Sequence, residues 1–111
     1  MQVELATATI NIGELAQEFA LSEQDFIVQG IRAFVTEQLR LFRAESQARC
    51  AKFGVTSLEE MDKLIVDGTV EEEDILDDFQ NVDYLTTRVE RLERLLEILF
   101  QPHPRPLYVL S

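Results

Sequence analysis

The stretch from Val82 to Leu99 constrains the fold of this chain more than any other. Apolar residues recur there at heptad positions a and d: Val82, Leu85, Val89, Leu92, Leu96 and Leu99. Charged residues fill the positions between them, which is the pattern of a helix that packs lengthwise against another helix. Ile75 extends the a series backwards, but Asp78 occupies the preceding d position, so the pattern predicts a weaker seam there.

A second long helix is predicted from Ser22 to about Phe53. Ser22 followed by Asp25 resembles a capping box, and Gly54 suits the left-handed position just past a helix end. The first half of this helix is apolar on most sides, which favours burial against several neighbours. We expect three of its side chains to join the heptad residues in the dimer and packing seam: Ile27, Ile31 and Phe34.

The first residues predict a strand. The segment from Gln2 to Ile12 is rich in Thr, Val and Ile and contains neither Gly nor Pro. No second strand signal follows before the C-terminal tail. The strand is therefore expected to pair with a copy of itself or with another protein, which indicates a dimer. A short helix over residues 13–20 follows it.

Two further capping boxes divide the second half of the chain. Ser57 with Glu60 predicts a short helix, and Thr69 with Glu72 predicts the start of the heptad helix. The expected fold is mainly α, with a short N-terminal strand and long helices packed as a helical hairpin or bundle in an intertwined homodimer. Three regions are predicted: a dimerisation region of strand and helices over 1–54, an acidic helical arm with the heptad helix over 55–101, and a proline-rich tail over 102–111.

Negative charge is concentrated in the second half. Residues 1–54 carry seven acidic and five basic residues, whereas residues 55–111 carry fourteen acidic and five basic residues. A formal net charge of −11 disfavours general nucleic-acid binding, because attraction to phosphate needs a basic face. Six clustered carboxylates are candidates for binding a basic partner: Glu71, Glu72, Glu73, Asp74, Asp77 and Asp78. They lack the ligand spacing of a calcium loop, and acids at a helix start suit the helix dipole, so no metal site is predicted.

No residue pattern indicates catalysis. The single cysteine, Cys50, excludes an intrachain disulfide and has no histidine near it in the sequence to act as base. His103 lies between two prolines without an orienting partner, and the scattered glycines form no phosphate loop. We therefore predict a non-enzyme without catalytic residues or cofactor. The absence of a signal peptide or a long apolar run predicts a cytoplasmic location.

Three arginines lie on one face of the long helix: Arg32, Arg40 and Arg43. They could hold phosphate or an acidic partner. The favoured alternative is that they pair with Glu37, Glu45 and the acidic second half of the chain.

The order of strand, short helix, turn and longer helix over residues 2–42 resembles the ribbon-helix-helix fold of small prokaryotic repressors and antitoxins. The segment from Ala20 to Ile31 is similar to that family's turn and second-helix start. In the family, two strands pair across a two-fold axis in the major groove, and the second helix points its N-terminus at phosphate. The resemblance implies that Gln2, Glu4, Thr7 and Thr9 lie near the groove and Ser22 near phosphate. Thr7, Thr9, Ser22 and Arg32 are accordingly the possible nucleic-acid contacts. The strand carries no Arg or Lys, and Glu4 would repel DNA.

Residues 52–60, with the glycine turn and heptad helix after them, are similar to small uncharacterised archaeal and bacterial proteins. Some of these are antitoxin partners of compact toxins, so the likeness implies a binding role. We predict an antitoxin-like, non-catalytic module whose acidic C-terminal half captures a small basic toxin or other basic protein. Two alternatives stay open: a structural or adaptor helical oligomer without a toxin partner, and a weak ribbon-helix-helix-type regulator.

Overall fold

A computed structural model describes residues 1–100 of the chain, and the predicted proline-rich tail with His103 lies outside the described residues. The described part is mainly helical, as predicted. Its elements are β1 (Gln2–Glu4), β2 (Thr9–Asn11), α1 (Ile12–Glu18), α2 (Glu23–Ala51), α3 (Leu58–Val66) and α4 (Glu72–Phe100). The chain divides into two compact units, residues 1–34 and the residues from 35 onwards, so that α2 contributes to both.

The first unit begins with a β-hairpin. Strands β1 and β2 pair antiparallel, with Val3 opposite Ile10. The amide of Leu5 donates to the carbonyl of Ala8 across the turn at 2.6 Å. The single predicted strand is therefore two short strands that pair with each other, and the expectation that it needs a partner from another chain is wrong. The turn was missed because it contains neither Gly, Pro, Asn nor Asp, the residues that signal turns.

Two of the predicted N-terminal caps are present. The Ser22 hydroxyl accepts from the Asp25 amide at 3.0 Å, and the Ser57 hydroxyl accepts from the Glu60 amide at 3.1 Å. Each serine satisfies an amide that has no partner inside the helix, which fixes where α2 and α3 begin.

The third predicted cap is wrong. Helix α4 begins at Glu72, so Thr69 lies too far before it to act as its N-cap. Thr69 instead belongs to the end of α3, where its amide donates to the carbonyl of Leu64 at 3.0 Å.

Helices α1, α2 and α3 end in the same left-handed turn. The residues that carry the positive φ angles are Ala20 (57°), Gly54 (71°) and Gly68 (70°). At the second of these, the Val55 amide donates back to the Cys50 carbonyl at 3.2 Å, which closes a Schellman motif. The C-cap role predicted for Gly54 is confirmed. Ala20 adopts the same conformation at a steric cost that glycine avoids.

The core of the second unit lies where the end of α2, helix α3 and the start of α4 meet. Its four buried members are Cys50, Met61, Ile75 and Val82. Partly buried apolar side chains surround this cluster, among them Phe53, Leu58 and Phe79. The heptad face of α4 therefore packs against other helices of the same unit.

Candidate functional site

The heptad face of α4 becomes more exposed along the helix. Val82 and Leu85 are 1% and 4% exposed, whereas the four later a and d residues are half-buried: Val89, Leu92, Leu96 and Leu99. The first part of the predicted seam is thus interior to a single chain. In the first unit, Ile27 is half-buried, while Ile31 and Phe34 are 44% and 65% exposed.

Asp78 forms the polar centre of the second unit. Only 7% of this residue is exposed. Its carboxylate accepts from the Arg49 guanidinium at 2.9 Å and from the Lys52 ammonium at 3.1 Å. A charge at a buried heptad position is tolerated only when it is paired, and these two cations supply the pair. The heptad pattern showed Asp78 as a break in the seam, but its partners are 29 and 26 residues away and gave no signal in the pattern.

The other five clustered carboxylates lie on the surface and are named the acidic surface here: Glu71, Glu72, Glu73, Asp74 and Asp77. The side chain of Asp77 is 90% exposed and approaches the Arg49 guanidinium only to 3.7 Å. Within residues 1–100, the other four carboxylates form no ion pair. Asp78 does not belong to this surface, because it is buried among its own cations.

Glu60, at the start of α3, is exposed, and its carboxylate is bound by the loop before the helix. Its carboxylate accepts from the Thr56 amide at 2.6 Å and from the Thr56 hydroxyl at 2.9 Å. These two hydrogen bonds hold the pKa of Glu60 below its ordinary value, and the bond from the Thr56 amide has the larger effect. Glu60 therefore keeps its charge, and a single oxygen of its carboxylate, Oε1, accepts both hydrogen bonds from Thr56 in the loop before α3.

Two of the three arginines on the α2 face have acidic partners within the chain. Arg40 donates twice to Glu37, and this pairing lowers the pKa of the Glu37 carboxyl. Arg43 forms an ion pair with Glu93 of α4. The favoured prediction, pairing with Glu37 and with the acidic second half, is confirmed for these two arginines.

The possible nucleic-acid contacts all lie in the first unit. Thr7 is in the hairpin turn and Thr9 is in β2, and both are exposed. The Ser22 hydroxyl is used as the cap of α2, and Arg32 is half-buried on the same helix. Arg32 is the single Arg or Lys within residues 1–34, so the described first unit has no cluster of basic side chains.

Cys50 is placed for packing. It is 1% exposed, and its thiol lies 3.8 Å from the Met61 sulfur. Burial, and secondarily the charge of Glu60, raises the pKa of the Cys50 thiol. The described residues contain no group of three or more His, Cys, Asp or Glu side chains that could hold a metal ion. Within the same range, no helix is long and apolar enough to cross a membrane.

These features define a small, mainly helical protein whose second unit presents an acidic helix start and a partly open heptad face. The model of the uncharacterized protein MJ0235 family matches residues 1–101, and the chain belongs to that family. A curated relative, the uncharacterized protein MJ0235 of Methanocaldococcus jannaschii, is 27% identical over 73 residues, which cover 66% of this chain and 89% of the relative. No solved structure matches the chain.

Proposed function

We propose that this protein is a non-catalytic, antitoxin-like binding module whose acidic surface captures a basic partner protein. One observation carries the proposal: Arg49, which approaches the acidic surface at Asp77, and Lys52 are both engaged by the buried Asp78. The carboxylates of Glu71 to Asp74 are thereby left exposed and without an ion pair among the described residues.

Charge arranged in this way favours a partner of opposite sign. Uncompensated surface carboxylates repel one another, and cations from a basic protein would relieve that repulsion and speed association. The positive end of the α4 dipole, equivalent to about half an elementary charge, offsets only a small part of these four carboxylates, so the surface stays strongly negative. Leu76 lies beside the first three carboxylates and is 39% exposed, which offers an apolar contact next to the charges.

The test is affinity purification of the tagged full-length protein from cells that express it naturally. The variant neutralises the four carboxylates of the acidic surface that form no ion pair, with Glu71→Gln, Glu72→Gln, Glu73→Gln and Asp74→Asn. The control makes the same change in net charge at four exposed acids elsewhere: Glu14, Glu18, Glu90 and Glu97, each to Gln. We expect one basic protein to be retained by the wild type and by the control and to be lost from the variant.

Antitoxin-like activity has a separate readout. If the captured protein slows growth when expressed alone, co-expression of the wild type should restore growth and the neutralised variant should not. Equal retention by the variant and the control, or the absence of any basic protein from both, would overturn the proposal.

A structural or adaptor oligomer is the second candidate. It is favoured by the apolar side chains that the end of α4 exposes, since Leu95 is 38% and Ile98 is 65% exposed. A stable oligomer that retains no other protein in the same purification would support this function over the first. The ribbon-helix-helix-type regulator has lost its main support, because the strand it requires for pairing between chains is paired within the hairpin.

A further inference from the structure

The outer face of α4, opposite the buried heptad positions, carries a second seven-residue pattern. Asp77, Tyr84, Arg91 and Ile98 follow one another at intervals of seven and therefore lie in one line along the helix. This line faces outwards: the Asp77 side chain is 90% exposed, Tyr84 is 61% exposed and Ile98 is 65% exposed. We call it the outer stripe and include its flanking residues Glu73 and Arg94.

The charges of the outer stripe are arranged almost symmetrically about Tyr84. Asp77 and Arg91 lie seven residues before and after it, which is about 10 Å on either side at ~1.5 Å per residue. Glu73 and Arg94 lie eleven residues before and ten after it. One half of the stripe is therefore acidic and the other half basic, with an exposed aromatic ring between them.

Ion pairs within the described residues leave these charges largely uncompensated. Within residues 1–100, Glu73, Arg91 and Arg94 form no ion pair, and Asp77 has only its 3.7 Å contact with Arg49. If a second copy lies antiparallel to the first, the acidic half of each stripe faces the basic half of the other.

From this geometry we infer that the outer stripe binds a second copy of the chain, with the two α4 helices antiparallel and the two-fold axis at Tyr84. Asp77 of each copy then faces Arg91 of the other, and Glu73 of each faces Arg94 of the other. The two Tyr84 rings meet at the axis. A parallel arrangement would set like charges against each other, so the charges select both direction and register.

A two-fold axis doubles every contact, which makes the contact sensitive to a single substitution. Arg91→Asp replaces two attractive pairs with two repulsive ones. The double variant Asp77→Arg with Arg91→Asp restores both pairs and leaves the net charge of the chain unchanged.

The experiment measures the mass of the full-length protein by sedimentation equilibrium at concentrations from about 1 to 200 µM, the range of a weak interface of modest area. We expect the wild type to dimerise and Arg91→Asp to raise the dissociation constant at least roughly tenfold. The double variant should return to within about threefold of the wild type. The control, Arg40→Asp, makes the same charge change on α2, where Arg40 pairs with Glu37 of its own chain. It should leave the dissociation constant unchanged.

Several outcomes would overturn the inference: a wild type that stays monomeric, a dimer indifferent to Arg91→Asp, or a double variant that remains monomeric with unchanged helical circular dichroism. A second charge exchange, Glu73→Arg with Arg94→Glu, repeats the test at the other pair and away from Arg49. The inferred dimer uses two carboxylates of the acidic surface, Glu73 and Asp77. Arg91→Asp leaves both in place, so this variant tests dimerisation without removing the groups proposed to capture a basic partner. Loss of dimerisation and loss of partner binding are therefore distinguishable.

Discussion

Asp78 shows how a single residue can be misjudged from its neighbours in the sequence. In the heptad pattern an acid at a d position weakens an apolar seam. In the folded chain the carboxylate is almost fully buried, and it bonds two cations from the end of α2. Removing one member of such a cluster leaves the remaining charges unpaired in a poorly solvated site. The resulting loss of stability is larger than the net stabilisation that the intact ion pair provides.

We expect Asp78→Asn to lower the free energy of unfolding by about 2 kcal/mol, because Arg49 and Lys52 lose their charged acceptor. Their own partial exposure, 25% and 59% of the side chains, keeps the loss from being larger. Urea denaturation followed by circular dichroism measures the effect. The matched control is Asp77→Asn, the neighbouring exposed carboxylate, for which a change within about 0.5 kcal/mol is expected. Equal effects at the two positions would contradict a structural role for Asp78.

At the scale of the elements, helix ends are set by short-range chemistry. Serine caps at Ser22 and Ser57 and the glycine at Gly54 were all recognised from the sequence, because their partners lie within five residues. The hairpin turn and the start of α4 were missed. The turn between β1 and β2 lacks the usual turn residues, and Thr69 matched a cap pattern although its amide completes the end of α3.

The three left-handed helix ends differ in the residue that adopts the positive φ, which is Ala20 after α1 but glycine after α2 and α3. Gly54 has space for a methyl group, since no atom lies within 4 Å of an added Cβ, so only backbone strain opposes an alanine there. We expect Gly54→Ala to destabilise the protein by about 1 kcal/mol. Ala20 has the same sign of φ, and Ala20→Gly should instead stabilise by about 0.5 kcal/mol, since relief of strain exceeds the added freedom of the unfolded chain. Thermal denaturation of the two variants provides the comparison, and shifts of the same sign would contradict the account.

At the scale of the whole molecule, the core of the second unit shields the Cys50 thiol from reagents in solution. Cys50 is buried against Met61, and burial raises the pKa of its thiol, so both access and ionisation oppose reaction. Labelling of Cys50 therefore requires this core to open.

Met61→Ala removes a fully buried side chain and should cost about 2 kcal/mol or more. We expect labelling of Cys50 by Ellman's reagent at pH 8 to become at least roughly tenfold faster in this variant, because the open state is more populated. Val66 lies on the same helix and is 75% exposed, so Val66→Ala serves as the control and should leave the rate unchanged. Labelling of the wild type as fast as in urea would show that Cys50 is not protected.

The mainly helical class, the approximate span of the long helices and three of the helix ends were predictable from sequence, which also favoured the pairing of Arg40 with Glu37. Each depends on residues within a few positions of one another, or on a periodicity repeated often enough to be read. Three features became evident from the folded chain alone. The start of the heptad seam is filled by the same chain, Asp78 is buried against Arg49 and Lys52, and the first strand pairs within the hairpin. Those outcomes depend on which distant segments meet. Heptad spacing predicts that one face of a helix will be covered by another helix. The spacing does not indicate whether the covering side chains come from the same chain or from a second one.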